Sequence, residues 1–145
     1  NDFLNKVIKN PFIGIPKLVE LIHFNPEHPE NNNIKIINKK EPYLDYFNGN
    51  VWKTANKSKV ISDVIISKNI ITDKHYNNLD DGETSNNYKK YSEAVKYFVN
   101  NFVIDNYSTK PSYKELKKIY KDLEKDIYSL ILNHKKNIND KYLID

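Results

Sequence analysis

The chain has 145 residues, a formal net charge of +4, and neither cysteine nor methionine. This length suits one domain with its own hydrophobic core, while the lack of cysteine excludes disulfides, thiolate chemistry and cysteine-ligated zinc and fits a reducing, intracellular compartment. All 23 basic side chains belong to lysine, so arginine, which grips phosphates and guanine through paired hydrogen bonds, is not available for reading a base sequence.

Two helices are predicted at the start of the chain. The first is short, with Asp2 as its cap and Asn10-Pro11 as its end. Residues 12–15 form a link, and Pro16 takes the first position of the second helix, where a missing N–H has no cost. Asn25-Pro26 ends that helix, because proline moves the preceding residue out of the α region.

A loop with two histidines follows. We expect residues 26–30 to form an extended connector, since each proline fixes φ, and residues 31–33 to form turns. His23 and His28 have a spacing that occurs in zinc sites, but a structural zinc needs four ligands and cysteine is absent. We therefore predict a structural loop with no bound metal or cofactor, shaped by His23, Phe24, Asn25, Pro26, His28 and Pro29.

Three short strands are predicted next. Residues 34–37 are rich in β-branched side chains, and Tyr43–Phe47 and residues 50–53 flank the dipeptide Asn48-Gly49. Asn-Gly favours a two-residue type I′ turn, because both turn residues need positive φ. The prediction is a three-stranded antiparallel meander with Trp52 buried on its covered face.

The rest of the chain is predicted to be helical, which makes the fold class α+β. Asn56 or Ser58 can cap one helix, and a second, short helical segment carries Ile70-Ile71. The polar stretch at residues 79–87 is the best internal boundary. The predicted units are a core of helices and meander, residues 1–79, and a helical extension packed on the same domain, residues 80–145.

The last predicted helix offers two kinds of contact. Leucines recur at one heptad position, which permits self-association or a protein partner, although a terminal helix packed on its own domain explains the same pattern. Lysines on its outer side permit nucleic acid, although acidic residues among them nearly cancel their charge. The interface candidates are Leu116, Leu123 and Leu130, and the nucleic-acid candidates are Lys114, Lys118 and Lys121.

Three stretches of the chain resemble one family of viral domains. Residues 18–33, the hairpin at residues 48–53 and the lysine-rich end at residues 130–138 are similar to a C-terminal domain that recurs in proteins of giant, nucleocytoplasmic large DNA viruses. The best match runs from Leu18 to Asn31 and continues into a strand and a Gly-x-x-Trp hairpin. In that family the domain commonly follows a C2H2 zinc finger and a coiled coil, but a chain without cysteine contains no such finger.

The resemblance implies an accessory or regulatory module, located in the host cytoplasm, the viral factory or the virion, and it transfers no catalytic residues. We predict a non-catalytic binding module that contacts protein and works near nucleic acid, with no membrane-spanning segment. Two alternatives stay open: a divalent-metal nuclease that uses His23 and His28, and a module that binds DNA non-specifically through lysine. Because the chain begins at Asn1 without methionine, we expect it to be the C-terminal part of a longer protein.

Overall fold

Five α-helices and a three-stranded sheet form the described part of the molecule. The structure is a computed structural model that describes residues 2–36, 38–79, 86–98 and 113–134. The predicted α+β class is confirmed, because two helices precede an antiparallel sheet of order β1-β2-β3 and three helices follow it. The elements are α1 (Asp2–Lys9), α2 (Pro11–His23), a 3-10 turn (Pro29–Asn31), β1 (Ile34–Lys35), β2 (Tyr43–Phe47), β3 (Trp52–Asn56), α3 (Lys57–Asn77), α4 (Asn86–Phe98) and α5 (Tyr113–Asn133).

The second helix begins at Pro11 and not, as predicted, at Pro16. Residues 12–15 are helical, and Pro16 lies inside the helix, where its missing N–H removes one intrahelical hydrogen bond. Ile15 and Val19 are fully buried on either side of this proline. Burial of this apolar stripe favours a continuous helix more strongly than the proline disfavours it, because most helix stability in proteins comes from tertiary packing.

Gly14 allows α1 and α2 to pack closely. A Cβ atom at this position would lie 2.7 Å from Cα of Val7, which is closer than Cβ atoms in real structures approach atoms of other residues. The backbone of α2 at Gly14 therefore lies directly against both the backbone and the side chain of Val7. No larger residue fits there without moving α1.

The loop after α2 is folded, so the predicted extended connector at residues 26–30 is wrong. The side chain of Asn25 accepts a hydrogen bond from the N–H of Glu27, and its carbonyl accepts one from the N–H of His28, both at 3.0 Å. Pro29 then starts a 3-10 turn. The φ that proline imposes is compatible with a helical turn and with an extended chain. Asn25 favours the turn, because its side chain and its carbonyl accept the hydrogen bonds that close it.

The hairpin lies where it was predicted, but its loop has a different length. Phe47 pairs with Trp52, so the loop contains the four residues 48–51 and the predicted two-residue turn is wrong. Gly49 takes a positive φ of 105°. The side chain of Asn48 accepts hydrogen bonds from the N–H groups of the two residues after Gly49, at 2.9 and 3.0 Å. Asn48 therefore closes the loop through its side chain, as asparagine commonly does in turns.

Trp52 is 40% exposed, so its predicted burial is also wrong. Successive side chains of a strand point to opposite faces, and the pairing puts Trp52 on the same face as Phe47. The other face carries Leu44, which is 1% exposed, and α3 packs against β2 and β3 there. Which face of the meander is covered depends on where the helices pack. Trp52 lies on the face opposite to the one that α3 covers.

The third helix is continuous from Lys57 to Asn77, so the separate short segment predicted around Ile70-Ile71 is wrong. Asn56 caps this helix as predicted, since its side chain accepts a backbone N–H of the first turn at 3.3 Å. Polar residues in the middle of this helix do not interrupt it. In the structure these polar residues continue the buried stripe: Lys68, Asn69 and Thr72.

One hydrophobic cluster connects the helices with the covered face of the sheet. Residues 80–85 of the predicted polar loop and residues 135–138 at the end of the resemblance lie outside the described residues. Among the helices of the described residues, none has an apolar run that would carry it across a bilayer. The fully buried side chains that α5 and α4 supply to the cluster include Leu116, Ile127 and Ile131 together with Tyr88, Tyr91 and Val95.

Candidate functional site

His23, the last residue of α2, attaches the following loop to the helix. Its Nδ1 lies 3.0 Å from the carbonyl oxygen of Asn31 and 2.9 Å from Oδ1 of Asn33. Because both of these partners are acceptors, Nδ1 carries the proton and Nε2 presents a lone pair. Asn33 leads directly into β1 at Ile34. The imidazole therefore holds the loop at the point where the chain enters the sheet.

Lys68 reaches His23 from the middle of α3. Its Nζ lies 2.7 Å from Nε2 of His23 and 3.0 Å from Oγ of Ser67, and the residue is only 4% exposed. Within the described residues no carboxylate forms an ion pair with this ammonium group. Buried lysines usually have an acidic partner. Here a neutral imidazole is the acceptor, and the bond joins α3 to the end of α2.

Burial sets the ionisation of both groups. It lowers the pKa of Lys68 to about 8, because the charged form is poorly solvated inside the protein. Burial also lowers the pKa of His23 below its usual value of 6.5, and the positive charge of Lys68 lowers it further. At neutral pH the imidazole is thus uncharged and the amine mostly protonated. In these protonation states Nζ of Lys68 donates the hydrogen bond and Nε2 of His23 accepts it.

A cavity of about 350 Å³ opens between the covered face of the sheet and α3, beside this pair. Tyr46 and Val60 contribute to its apolar wall. Such a volume is at the small end for ligand sites and suits one side chain or one small ring. Its charged rim is nearly neutral, because the lysine and the aspartate at the rim form an ion pair of 3.3 Å. The polar lining groups are His23, Asn33, Lys59, Asp63 and Ser67.

The two loop histidines do not come together. His28 is exposed, and its Nδ1 lies 3.1 Å from a carboxylate oxygen of Glu30, whereas both ring nitrogens of His23 are engaged inside the protein. Among the described residues there is no group of three His, Asp or Glu side chains that could hold a metal ion. A metal-dependent nuclease requires such a group, so the part of the chain that the structure describes does not offer one.

The other residues of the loop connect it to the helices. Phe24 stacks on His134 at the end of α5, with ring centroids 4.3 Å apart. His134 in turn places Nε2 3.3 Å from a carboxylate oxygen of Glu20 on α2. Asn25 and Pro29 shape the two turns described above. The loop is therefore held by α2, α3 and α5 together, which explains why so many of its residues have specific partners.

The lysines predicted for nucleic acid are exposed on α5, but two of them have acidic partners. Lys118 pairs with Asp122 at 2.7 Å and Lys121 with Glu124 at 3.6 Å. Lys114 is exposed as well. Paired surface charges produce little net field, so this face of α5 attracts a polyanion only weakly.

The leucines predicted as an interface lie on the inner side of the same helix. Leu116 is 1% exposed and Leu123 is 3% exposed, because both belong to the hydrophobic cluster. Leu130 is half-buried against that cluster. The heptad pattern is therefore used for packing α5 on its own domain, which was the alternative explanation of the pattern. Leu116 and Leu123 are not accessible to a second molecule in this arrangement.

Lys68 is the residue that the sequence reasoning missed. It follows Ile61 and Val64 at the helical spacings of seven and four residues, so it stands in line with the buried stripe. A lysine at such a position is normally assigned to the surface, because its long chain can carry the amine to water. A histidine at the end of another helix is its partner here, and this contact between distant residues has no signature in the sequence.

Known proteins do not add to this description. Comparisons with protein families, with curated proteins and with solved structures gave no significant match for the chain.

Proposed function

We propose that the chain is a binding module without catalytic activity, in an accessory protein of the kind that the giant-virus resemblance implies. The observation that supports this most is the use of His23. Its Nδ1 holds the loop and its Nε2 accepts from Lys68, so neither nitrogen is left for a metal ion or for proton transfer. His28 is exposed, and its described polar side-chain partner is a surface glutamate. The histidines that suggested a nuclease thus have structural explanations.

The hairpin is the surface that we propose for binding. Tyr43, Val51 and Trp52 are 49%, 54% and 40% exposed, although large apolar side chains are usually buried when the fold allows it. Neighbouring exposed groups of this kind favour a contact surface, and aromatic residues are enriched where proteins meet their partners. The buried leucines of α5 make that helix a weaker candidate.

The absence of catalysis is tested with the purified chain, Mg²⁺ or Mn²⁺, and plasmid, duplex and single-stranded substrates. We expect no cleavage above a blank purified in parallel, and no stoichiometric metal by elemental analysis. His28→Ala, which leaves the folded core untouched, is the diagnostic variant. Cleavage that co-purifies with the chain and disappears in His28→Ala would contradict the proposal and restore the nuclease alternative.

The second candidate function is contact with a protein, including a second copy of this chain. Exposed aliphatic residues on the helices favour it. Ile13 and Leu21 on α2 are 59% and 50% exposed, and Ile70 on α3 is 64% exposed. If these residues form a dimer interface, sedimentation velocity will show self-association that increases with protein concentration. Ile70→Asp should abolish it. A sedimentation coefficient that stays monomeric at all concentrations would exclude self-association through these residues.

A further inference from the structure

We propose that the open face of the sheet binds a single-stranded nucleic acid, with bases stacked on its aromatic rings and phosphates held by nearby lysines. This inference rests on the proposed function, because it names the partner of the hairpin surface. The open face is the side of the sheet opposite to Leu44. Its members are Lys35, Tyr43, Asp45, Phe47, Trp52, Thr54 and Asn56.

Strand pairing brings the aromatic rings to one side. Phe47 and Trp52 are directly opposite each other in the ladder, and their ring centroids are 5.6 Å apart at an angle of 55°. Tyr43 is on the same face at the other end of β2, roughly 13 Å away at the usual rise of a strand. The face therefore offers two separate aromatic surfaces along one strand, which a chain of unstacked bases can contact in succession.

The exposure of these rings is what a stacking surface requires. Trp52 is 40% exposed and Tyr43 is 49% exposed, although the covered face of the same sheet buries Leu44 completely. Every nucleobase has a π-face, so stacking on aromatic side chains tolerates any sequence. Bases in a duplex are already stacked on one another, which favours single strands as the ligand.

The positive charge of the chain is concentrated around this sheet. Residues 34–59 contain six lysines and two acidic residues, whereas the other residues contain seventeen lysines and seventeen acidic residues. The net charge of +4 therefore belongs entirely to this segment. Lys35 is the cation nearest to these rings, because its Nζ lies over the Trp52 ring in a cation–π contact, 4.1 Å from the centroid. A base that stacks on this face of Trp52 has to displace the ammonium group, which then stays within reach of the adjacent phosphate.

The chemistry of the face also limits its selectivity. Lysine is a point charge and cannot form the paired hydrogen bonds with which arginine reads guanine. Asp45 accepts a hydrogen bond from Thr54 at 2.9 Å in the middle of the face and is the cross-strand neighbour of Lys35, so its carboxylate repels phosphate and limits the affinity of this face. Binding should thus be sequence-tolerant and dominated by phosphate contacts and stacking.

The position of Trp52 makes a direct test possible, because it is the only tryptophan in the chain. The full chain is titrated with mixed-sequence single-stranded DNA and, separately, RNA, each of about twenty nucleotides, at two salt concentrations. We expect quenching of tryptophan fluorescence, weaker binding at the higher salt concentration, and weaker binding of the matching duplex. Separate DNA and RNA titrations show which of the two single strands is preferred.

Variants locate the binding site. Trp52→Ala should weaken binding roughly tenfold, measured with a labelled oligonucleotide, and Trp52→Phe should retain most of the affinity because it keeps a ring. Tyr113→Ala is the matched control, since Tyr113 is 47% exposed on α5. Lys35→Gln should lower the slope of log affinity against log salt by about 0.7, the value for one phosphate contact with a single strand. Lys114→Gln should leave that slope unchanged.

Three results would overturn the inference: no binding at low salt, equal affinity of Trp52→Ala and the unmodified chain with both folded by circular dichroism, or tighter binding of the duplex. None of these contradicts the proposed non-catalytic function. That function fails instead if gel electrophoresis of the same titration samples shows shortened oligonucleotides. The two failures are therefore distinguished within one experiment.

Discussion

At the scale of single residues, the contact between Lys68 and His23 determines how the end of α2 is held. An isolated ammonium group inside a protein is strongly destabilising, and a hydrogen bond to a neutral acceptor offsets part of that cost, typically by about 1.5–3 kcal/mol. The acceptor is correctly oriented because Asn31 and Asn33 fix the proton on Nδ1 of the imidazole. The loop and the buried amine therefore stabilise each other.

Removing the imidazole tests this mutual dependence. His23→Ala should lower the free energy of unfolding by about 2–4 kcal/mol, because it leaves a buried ammonium group and a loop without their shared partner. The measurement is urea denaturation followed by circular dichroism. His28→Ala is the matched control from the same loop, and it should have a small effect because His28 is exposed. Equal losses in the two variants would contradict the role assigned to His23.

The pH dependence of stability follows from the two lowered pKa values. The unfolded chain takes up a proton on histidine near pH 6.5, but folded His23 resists it, so the stabilisation present above pH 6.5 is lost as the pH falls toward the lower folded pKa. Lys68 has a folded pKa of about 8 against 10.5 when exposed. The unfolded chain thus holds more protons between these values, and stability should rise with pH from about 8 upward.

Denaturation measurements between pH 7.5 and pH 9.5 isolate the contribution of Lys68 to stability, because this range lies roughly above the pKa of histidine and below that of tyrosine. Lys68→Met should remove the rise in stability across this interval, because no amine remains to lose its proton. Lys114→Met, on the exposed side of α5, should leave the rise intact. A rise of the same size in Lys68→Met would show that another group causes it.

At the scale of elements, helix starts and ends follow local chemistry, while helix packing follows shape. Asn56 caps α3 through its side chain, and the loop after α2 closes on Asn25. The crossing of α1 and α2 depends instead on the missing side chain of Gly14. Glycine normally disfavours a helix, so its presence inside α2 reflects the close approach of α1.

Gly14→Ala separates these two effects. Alanine favours an isolated helix by about 1 kcal/mol over glycine, but its Cβ would meet Val7 at 2.7 Å. We expect a net loss of stability of about 1–3 kcal/mol, as is typical when a packed contact is overfilled. Ile13→Ala, at the exposed neighbouring position, should change stability much less. A stabilised Gly14→Ala variant would mean that α1 can move aside without cost.

At the scale of the whole molecule, α5 completes the core from the far end of the chain. It packs against α2, α3, α4 and β1 and buries Leu116, Tyr120, Leu123, Ile127 and Ile131. Among the described residues, the helices cover one side of the sheet, and the exposed aromatic residues lie on the other side. This asymmetry is what creates the proposed binding surface.

Truncating Leu123 tests whether α5 belongs to the core. Leu123→Ala should lower the free energy of unfolding by about 2–5 kcal/mol, as for other buried leucines, without changing the sedimentation coefficient of the folded protein. Lys121→Ala, two residues away and exposed, should have little effect. A change of oligomeric state with unchanged stability would support an intermolecular leucine seam instead.

Particular residues show which parts of the fold could be predicted. The hairpin was located correctly because its signal, Asn-Gly between aromatic-rich runs, lies within a few neighbouring positions. Its loop length was wrong because Asn48 satisfies the turn through its side chain. The break predicted in α3 was wrong because the polar middle of this helix is buried, with Lys68 in contact with His23.

The sequence by itself determined the α+β class, the order of the elements, the ends of α1 and α2, the cap at Asn56 and the bias toward lysine. These features depend on neighbouring residues and on composition. Only the tertiary structure decided that Pro16 lies inside a helix, that Lys68 is buried on His23, that the leucines of α5 face inward and that Trp52 faces outward. Each of these depends on which surfaces are covered by elements distant in the chain, and burial of the shared core selects that arrangement over local preference.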